Sequence, residues 1–339
     1  MLWLDVHGIG VGVDGDLVVE EFFRKEYGFF KRGRVGDFGL FVEGVDRVEG
    51  APFYELVSLR EGRRVMWISL GGVSCGRVRV LFERGLSPAF VVYMVEPVLA
   101  VLSLLRGRAL IHACCVTRGD RCLVFPSWGG TGKTSVVLYF LSRGYGYMGD
   151  DWVFVGRDGC VYAYPRRIRI YSYNLRMFPW LRERLGDRFR LFRMGVGEFL
   201  AGRLPWRYAR IAVRKLTPYY PVCASDLFPG VEVPRCRRIT HVFFMRKSCG
   251  VDRPRLRDVS VDEVAGAVSA CFMSERAYFL QFYWRYAFHC GRIELIEKMP
   301  QLIEDIVREA FRGKNVYLLE LPMRYDIGEV YSLVTKATE

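Results

Sequence analysis

The 339-residue sequence lacks several patterns that would assign it to a simple class of protein. Its ten cysteines include no CxxC pair, so their spacing fits neither a zinc ribbon nor the disulfide framework of a small secreted domain. No apolar run reaches the roughly 20 residues of a membrane span. The longest run, residues 91–105, is interrupted by Glu96 and Pro97. The first residues, MLWLDVHG, lack the basic and apolar regions of a signal peptide, so we expect a cytoplasmic protein with reduced cysteines.

Hydrophobic residues form 51% of the chain, which is enough for a sizeable core in one large domain or in two smaller ones. The net charge of +13 is unevenly spread, because residues 166–215 hold 14 Lys or Arg and only three acidic residues. Such a basic segment attracts anions. We predict that it packs as a lid with a solvated arginine face, although a basic amphipathic stretch can also lie on a nucleic acid or a membrane surface.

Residues 110–155 contain a predicted strand, a glycine-rich turn, a helix and a second strand that ends in two acids. Residues 122–125 form an apolar run typical of a buried strand, and residues 135–142 have the apolar spacing of a helix packed on a sheet. Between them lies the sequence GGTGKT, residues 129–134. The order of these elements predicts a phosphate-binding turn.

Each residue type in this turn suits a polyphosphate ligand. Gly130 and Gly132 let backbone N–H groups converge on the phosphates, because a Cβ there would clash or forbid the required conformation. Lys133 would place its ammonium on the β and γ phosphates, and Thr134 offers a hydroxyl oxygen to Mg²⁺. The following helix points its positive dipole end at the same anion. The predicted nucleotide-binding residues are Gly129, Gly130, Thr131, Gly132, Lys133, Thr134 and Ser135.

Two acids and a histidine complete the predicted site. Asp150 and Asp151 follow a strand, where a metal–nucleotide site needs acids, and a solvated turn or a helix cap is the alternative. We predict Thr134, Asp150 and Asp151 as the metal ligands. His112 lies 21 positions before Lys133 in the apolar stretch ALIHACC. We predict a site role for this histidine, with a buried structural role as the alternative.

The order of histidine, glycine loop with Lys and Thr, helix ending in Arg-Gly, and strand ending in Asp-Asp resembles the catalytic domain of the HPr kinase/phosphorylase family and its kinase relatives. The resemblance covers residues 112–151 without a gap. It implies a mixed α/β (α+β) fold with the P-loop core shared with phosphoenolpyruvate carboxykinase, and ATP and Mg²⁺ as cofactors. It implies Lys133 as the phosphate-binding lysine, Thr134 as a Mg²⁺ ligand, Asp151 as the general base and His112 as an active-site polar residue.

The sequence departs from that family in two places. Against the consensus GxxxxGK[ST], Ser127 replaces the first glycine, and Trp128 replaces the usual acid. The acidic metal ligand that the family carries after the Asp pair is absent, since residues 171–179 read YSYNLRMFP. The resemblance therefore extends to the stand-alone kinases with this core, and it implies neither phosphorylase activity nor HPr as the substrate.

The chain is predicted to have two regions, a β-rich module over residues 1–90 and a catalytic domain over residues 91–339 with its lid at 166–215. The module is either a platform for a substrate or partner, or an extension of the catalytic sheet. Short runs rich in β-branched and aromatic residues predict its strands at 11–19, 38–42, 54–58, 64–69 and 76–82. Later patterns predict a hairpin at 156–159, strands at 239–246 and 315–322, and helices at 96–105, 178–204, 261–270, 295–311 and 327–337.

Four arginines are predicted contacts for a phosphate or for the acceptor. Arg166, Arg167 and Arg169 lie on a predicted edge strand, where alternation places Arg166 on one face and the other two on the opposite face. Their guanidinium groups could clamp an anion, and a solvated or ion-paired edge is the alternative. Arg246 ends a predicted central strand, in which we expect His241 to be structural.

These features predict an ATP-dependent phosphotransferase that transfers the γ-phosphate to a hydroxyl group. The acceptor is a serine of a protein or peptide, or a small hydroxylated metabolite, and the basic segment favours an anionic one. The predicted partners are therefore ATP and this acceptor, and no membrane partner is expected. The alternative is a nucleotide-binding regulatory protein, or a nucleic-acid-binding protein, that uses ATP as a switch.

Overall fold

Eighteen strands lie in the part of the chain that the computed structural model describes, which comprises residues 1–33, 39–46, 56–61, 64–186, 196 and 219–339. In chain order they are β1 (Leu2–Val6), β2 (Ile9–Asp14), β3 (Leu40–Val45), β4 (Leu56–Glu61), β5 (Arg64–Ser69), β6 (Val78–Glu83), β7 (Arg108–Ile111), β8 (Ala113–Arg118), β9 (Arg121–Pro126), β10 (Gly146–Gly149), β11 (Val153–Gly156), β12 (Cys160–Tyr162), β13 (Ile168–Ile170), β14 (Tyr220–Val222), β15 (Cys236–Arg238), β16 (His241–Lys247), β17 (Arg255–Asp258) and β18 (Asn315–Leu321).

The first six strands form a sheet of their own, in the order β1-β2-β3-β6-β5-β4. Strands β2, β3 and β6 run parallel, and the outer pairs are antiparallel. Within the described residues, none of these strands pairs with a strand from the rest of the chain. These strands therefore form a sheet of their own, and among the described residues the alternative in which they extend the sheet that follows is wrong.

A second six-stranded sheet, in the order β10-β8-β9-β16-β18-β17, carries the glycine-rich sequence. Strands β9, β16 and β18 are parallel neighbours, so their carboxyl ends meet at one edge. The strand predicted at 239–246 is confirmed as central. His241 in that strand contacts Thr240 and Asn315 through its two ring nitrogens, as expected of a structural residue.

A four-stranded antiparallel sheet, β15-β12-β11-β7, and the two-stranded pair β13-β14 complete the strands of the described residues. The pairing of β11 with β12 confirms the predicted hairpin. Together the sheets and helices make a mixed α/β fold with several sheets.

The described residues also form eleven α-helices. They are α1 (Leu17–Tyr27), α2 (Pro88–Leu104), α3 (Lys133–Ser142), α4 (Ser172–Met177), α5 (Trp180–Leu185), α6 (Ala224–Leu227), α7 (Val261–Glu275), α8 (Ala277–Cys290), α9 (Glu294–Glu297), α10 (Met299–Phe311) and α11 (Ile327–Ala337), with short 3-10 helices at Gly28–Phe30 and Val73–Cys75. The helix predicted at 327–337 is confirmed at both ends.

The predicted strand at 11–19 is wrong beyond Asp14, because a helix begins there. The Val19 backbone N–H donates to the Asp16 side chain at 2.9 Å, which caps the first turn of α1. An aspartate in this position satisfies an N–H group that has no partner within the helix. The strand therefore ends before this cap, at the stretch Asp14-Gly15-Asp16.

The predicted start of α2 at Glu96 is also wrong. The helix begins at Pro88, which occupies the first helical turn, and the Phe90 backbone N–H donates to the Ser87 side chain at 3.4 Å. Pro97 lies inside the helix. A proline there leaves the carbonyl four residues earlier without its helical donor. That carbonyl belongs to Tyr93, which is 42% exposed, so water can take the place of the missing donor.

Three other helix predictions change in the structure. Over residues 178–186, the helix predicted at 178–204 is the short helix α5, which ends at Gly186, where φ is 65°. The rest of that prediction, and of the lid, falls at residues 187–195 and 197–218, outside the described residues. The helix predicted at 261–270 continues to Glu275, and α8 was not predicted. The helix predicted at 295–311 is divided between α9 and α10.

Two hydrophobic cores meet at the second sheet. Along β9, Cys122 and Val124 face the core that contains α2, α7 and α10, while Leu123 and Phe125 face the core that contains α3 and α11. Because both faces of this sheet pack against a core, the residues at the carboxyl ends of its strands are held firmly in place. The first core also contains the N-terminal sheet, so it spans the predicted division at residue 90, which stays a prediction.

None of the helices in the described ranges combines the length and apolar character needed to cross a bilayer.

Candidate functional site

Residues 127–132, called here the glycine loop, join β9 to α3 at the carboxyl edge of the second sheet. Gly130 and Gly132 have φ values of 75° and 119°, in the left-handed region that favours glycine. A Cβ at Gly132 would lie 2.0 Å from the Tyr325 hydroxyl oxygen. That hydroxyl donates to the Thr131 carbonyl at 3.2 Å, so Tyr325 holds the loop from the side of β18.

Lys133 begins α3, and its side chain folds back into the glycine loop. The buried ammonium donates to the carbonyl oxygens of Ser127 and Trp128 at 3.4 and 3.2 Å, and to the Ser127 hydroxyl at 3.3 Å. These distances are at or beyond the long end of the normal range for hydrogen bonds. An anion in the loop would offer the ammonium shorter, charge-assisted hydrogen bonds in their place.

The first turn of α3 meets the end of β10 through one hydrogen bond. Thr134 donates its hydroxyl to Asp150 Oδ2 at 3.0 Å. Burial, and then the charge of Asp151, raises the pKa of Asp150 to about 8. The second carboxyl oxygen, Oδ1, is buried and has no hydrogen-bond partner among the described residues. The Thr134 hydroxyl and a carboxyl group with one oxygen free of hydrogen bonds form a ligand set that fits a hard cation such as Mg²⁺.

Asp151 is the accessible member of the acid pair. Its side chain is 39% exposed, whereas Asp150 is buried. Arg169 Nη1 lies 3.7 Å from Asp151 Oδ2, and the Arg169 guanidinium covers the ring of Tyr219 at 4.9 Å from the centroid. Asp151 is therefore the acid that a ligand from solvent can reach, and the Arg169 guanidinium lies directly beside it.

Arg166 and Arg167 do not stand free to clamp an anion, because carboxylates already bind them. Their Nε atoms donate to the two oxygens of Glu26 at 3.1 and 2.7 Å, and Arg166 also pairs with Glu96. The predicted separation of the two arginines onto opposite faces is wrong, since residues 163–167 are not in a strand. Both Arg166 and Arg167 therefore match the alternative prediction, in which these arginines are ion-paired.

His112 lies between β7 and β8, directly behind the glycine loop. Its carbonyl accepts a hydrogen bond from the Ser127 backbone N–H at 3.1 Å, and its ring stacks on Trp152 with centroids 4.8 Å apart. Burial, followed by the charges of Lys133 and Arg276, lowers the pKa of His112 to about 2. The imidazole is therefore neutral and interacts through its ring nitrogens, without a charge of its own.

A cavity of about 390 Å³ opens on the glycine loop. His112 lines it on one side, and the carboxyl end of β16 lines it on another, through residues that include Arg246 and Lys247. Arg246 is the one predicted arginine among the residues that line this cavity. Its guanidinium lies 3.4 Å from Glu320 and is about half exposed, so it can turn towards an anion in the cavity.

The two predicted acids line a separate and much smaller cavity, which they share with Arg169 and with Trp152. The structure therefore brings Thr134 and Asp150 into direct contact but places His112 on the larger cavity, across the Trp152 ring.

Sequence reasoning missed two residues that support the site. Asn174 is fully buried and donates its amide to the Ser135 hydroxyl at 3.3 Å, which fixes α4 against the start of α3. An asparagine within the aromatic stretch YSYNLRMFP is a visible signal of such a role. Tyr325 carries no local signal, because its partner Thr131 lies 194 residues away along the chain.

A scan of the chain against protein-family models finds no matching family, and a search of curated proteins finds no significant match.

Proposed function

We propose that the chain is an ATP-dependent phosphotransferase with a P-loop core of the HPr kinase/phosphorylase type. The observation that carries the proposal is the 3.0 Å hydrogen bond between Thr134 and Asp150. It sets a hydroxyl and a buried carboxyl with an unpaired oxygen next to a glycine loop that encloses Lys133. P-loop enzymes hold their metal with these two ligand types and their phosphates with the loop and its lysine.

In this proposal, the chain's own residues bind and orient the reacting groups. The glycine loop and Lys133 hold the triphosphate, and Thr134 and Asp150 hold Mg²⁺, which neutralises the β and γ phosphates when bound. Asp151 accepts the proton of the attacking hydroxyl. Phosphoryl transfer needs little covalent chemistry from the protein, so positioning and neutralisation of charge supply most of the rate enhancement.

The acceptor in this proposal carries a hydroxyl group and an anionic group. Arg169 lies 3.7 Å from the proposed base Asp151, which is close enough for one acceptor to contact both. The rings of Tyr171 and Tyr173 stack on each other with centroids 5.6 Å apart, and Tyr219 lies under Arg169. A serine of an acidic peptide and a small phosphorylated or carboxylated alcohol both have this chemistry.

The experiment that tests the proposal incubates the protein with γ-labelled ATP and Mg²⁺, in the presence of a metabolite pool or a proteome. The Asp151→Asn variant should bind ATP with an affinity within about threefold of wild type, because the base contributes to transfer and not to the loop. Label transfer should fall by roughly 10³-fold or more, the scale expected for a lost catalytic group.

The matched control is Asp120→Asn, which changes an exposed aspartate in the turn between β8 and β9. It should transfer label at the wild-type rate. Normal turnover by Asp151→Asn would reject the base assignment. Tight ATP binding without label transfer to any acceptor would reject the kinase assignment and favour the nucleotide switch.

A further inference from the structure

A histidine, a cysteine and a glutamate meet behind the glycine loop. His112, Cys271 and Glu275 each offer one ligand atom, and these atoms all lie within 4.8 Å of one another. His112 Nδ1 is 3.4 Å from Cys271 Sγ and 4.0 Å from Glu275 Oε1. The cluster does not include Thr134, Asp150 or Asp151, so it is distinct from the ligands assigned above to Mg²⁺.

The spacing of these atoms is close to that of a tetrahedral metal site. Zinc binds a nitrogen or an oxygen at about 2.0 Å and a thiolate at about 2.3 Å, so ligand atoms on a tetrahedron lie roughly 3.3–3.6 Å apart. The His112–Cys271 distance already falls in this range. Glu275 Oε1 lies 4.0 Å from His112 Nδ1 and within 4.8 Å of Cys271 Sγ, so it has to approach the first by about 0.7 Å and the second by up to about 1.3 Å. Its side chain is 36% exposed and has room to move.

The backbone holds the three side chains in place for such a site. Cys271 and Glu275 are four residues apart on α7, so they project from one face of the helix. The ring of Trp152 stacks on His112 and fixes the plane in which Nδ1 points. His112 and Cys271 are both buried, so the ligands lose little further freedom when a metal binds.

The charges of Lys133 and Arg276 act on His112 and lower its pKa, so a metal ion at the cluster requires anionic ligands to offset them. Arg276, the residue after Glu275, turns away to donate to Glu96 at 3.4 Å, and its guanidinium lies over the Trp152 ring. A thiolate and a carboxylate together carry two negative charges, which balance a divalent ion.

We propose that His112, Cys271 and Glu275 bind a divalent ion of the zinc class, with the fourth position facing the 390 Å³ cavity that His112 and Cys271 line. Nitrogen, sulfur and oxygen ligands together favour Zn²⁺ or Co²⁺ over Mg²⁺, which prefers oxygen alone. Three protein ligands with one open position are the arrangement of zinc sites that bind a water or a substrate. The proposal does not depend on the proposed kinase activity.

Metal binding would also change the glycine loop. The Cys271 thiol contacts the Ser127 carbonyl at 3.8 Å, and the same carbonyl accepts from the Lys133 ammonium at 3.4 Å. Binding forms a metal–sulfur bond, breaks the S–H bond and releases its proton to solvent. The Ser127 carbonyl then loses the thiol donor, so occupancy of the cluster is transmitted to the lysine of the loop.

The test is a titration of the full-length, metal-stripped protein with Co²⁺, followed by competition with Zn²⁺. Binding at the cluster should give the visible bands of tetrahedral cobalt together with a thiolate-to-cobalt charge-transfer band, and Zn²⁺ should abolish both. Cys271→Ser should lose the charge-transfer band. His112→Gln and Glu275→Gln should weaken Co²⁺ binding at least about 10-fold.

Two controls separate the cluster from other thiols. Cys249→Ser removes an exposed thiol and Cys115→Ser removes a buried one, and both should bind Co²⁺ as wild type does. Circular dichroism of each variant checks that it is folded, and the half-exposed Glu275 is the substitution least able to disturb the core. A charge-transfer band that survives in Cys271→Ser, or octahedral cobalt without any thiolate band in the wild type, would overturn the proposal.

Discussion

Thr134 donates its hydroxyl to a carboxyl group, Asp150, that is buried and carries an oxygen without a partner among the described residues. Burial and the neighbouring Asp151 raise the pKa of Asp150 from 3.8 to about 8 in the folded protein. The folded state therefore binds this proton more tightly than the unfolded state does. The resulting stability is present below pH 3.8 and is lost as the pH rises through about 8.

We therefore predict that Asp150→Asn makes the metal-free protein more stable at pH 9, on the order of 2 kcal/mol, and changes little at pH 4. The substitution removes a carboxyl that must ionise in a buried place. If the proposed function holds, Mg²⁺ and ATP should raise the melting temperature of the wild type, and this variant should lose that rise. Thermal unfolding across pH, with and without Mg²⁺ and ATP, measures both effects. If Asp150→Asn is as stable as the wild type at pH 9 and responds to Mg²⁺ and ATP as the wild type does, the assignment of Asp150 as a metal ligand is contradicted.

The two loop glycines give a second prediction. Gly132→Ala should destabilise the protein by about 2 kcal/mol or more and abolish ATP binding, because its φ is 119° and its Cβ would meet the Tyr325 hydroxyl. Gly130→Ala is the matched control, since its φ of 75° is also unfavourable but nothing lies within 4 Å of its Cβ. It should lose only about 1 kcal/mol.

A double variant separates the clash from the backbone strain at Gly132. Adding Tyr325→Phe removes the hydroxyl that the new Cβ would meet, so Gly132→Ala/Tyr325→Phe should recover part of the lost stability. Chemical denaturation of the four proteins gives the free energies of unfolding. Equal losses for the two single glycine variants would show that the Tyr325 contact does not constrain the loop.

The charge network around Glu96 gives a third prediction. Glu96 is buried and binds both Arg166 and Arg276, so Glu96→Gln leaves Arg276 without its carboxylate and leaves Arg166 with Glu26 alone. We expect a loss of about 3 kcal/mol in the free energy of unfolding. Glu309→Gln, which breaks a more exposed pair with Arg157, should lose less than about 1 kcal/mol. Similar losses for the two variants would mean that the buried network adds nothing beyond a surface pair.

His7 gives a prediction about acid sensitivity. Burial lowers its pKa from 6.5 to about 4, and its Nε2 lies 2.7 Å from the Ala163 carbonyl oxygen, to which the neutral ring donates. A lowered pKa means that the unfolded state binds the proton more tightly. Stability from this residue is therefore present above pH 6.5 and is lost as the pH falls towards 4.

Between pH 7 and pH 4, the free energy of unfolding of His7→Gln should fall by on the order of 2 kcal/mol less than that of the wild type. The glutamine amide can still donate to the Ala163 carbonyl. At pH 7 the substitution should therefore change the free energy of unfolding by less than this amount. Denaturant midpoints measured at several pH values check the slope. A slope equal to that of the wild type would show that His7 titrates normally in the folded protein.

The local sequence pattern is sufficient to predict where several elements begin and end. Strand β5 and helix α11 begin and end where the sequence predicts, because their apolar periodicity is strong and their ends carry clear breakers. The glycine loop was also predicted in place, since Gly130, Gly132 and Lys133 form a pattern that can be read within a few residues.

Long-range contacts account for most of what was missed. Tyr325 reaches the glycine loop, and Glu26 reaches Arg166 from 140 residues earlier, and no local pattern encodes either contact. The cluster behind the loop was hidden for a simpler reason. A helix predicted to end at residue 270 excludes Cys271 and Glu275, so the sequence pattern does not place these two residues on one helix face.

The sharing of Glu26 between Arg166 and Arg167 bears on how the molecule can be divided. This carboxylate belongs to α1, whereas the arginines belong to the segment that follows the acid pair. A cut at residue 90 would also pass through α2, whose buried side chains belong to the first core. The N-terminal module therefore supplies a counter-ion to the rest of the chain, so neither part can be exchanged without leaving charges of the other unpaired.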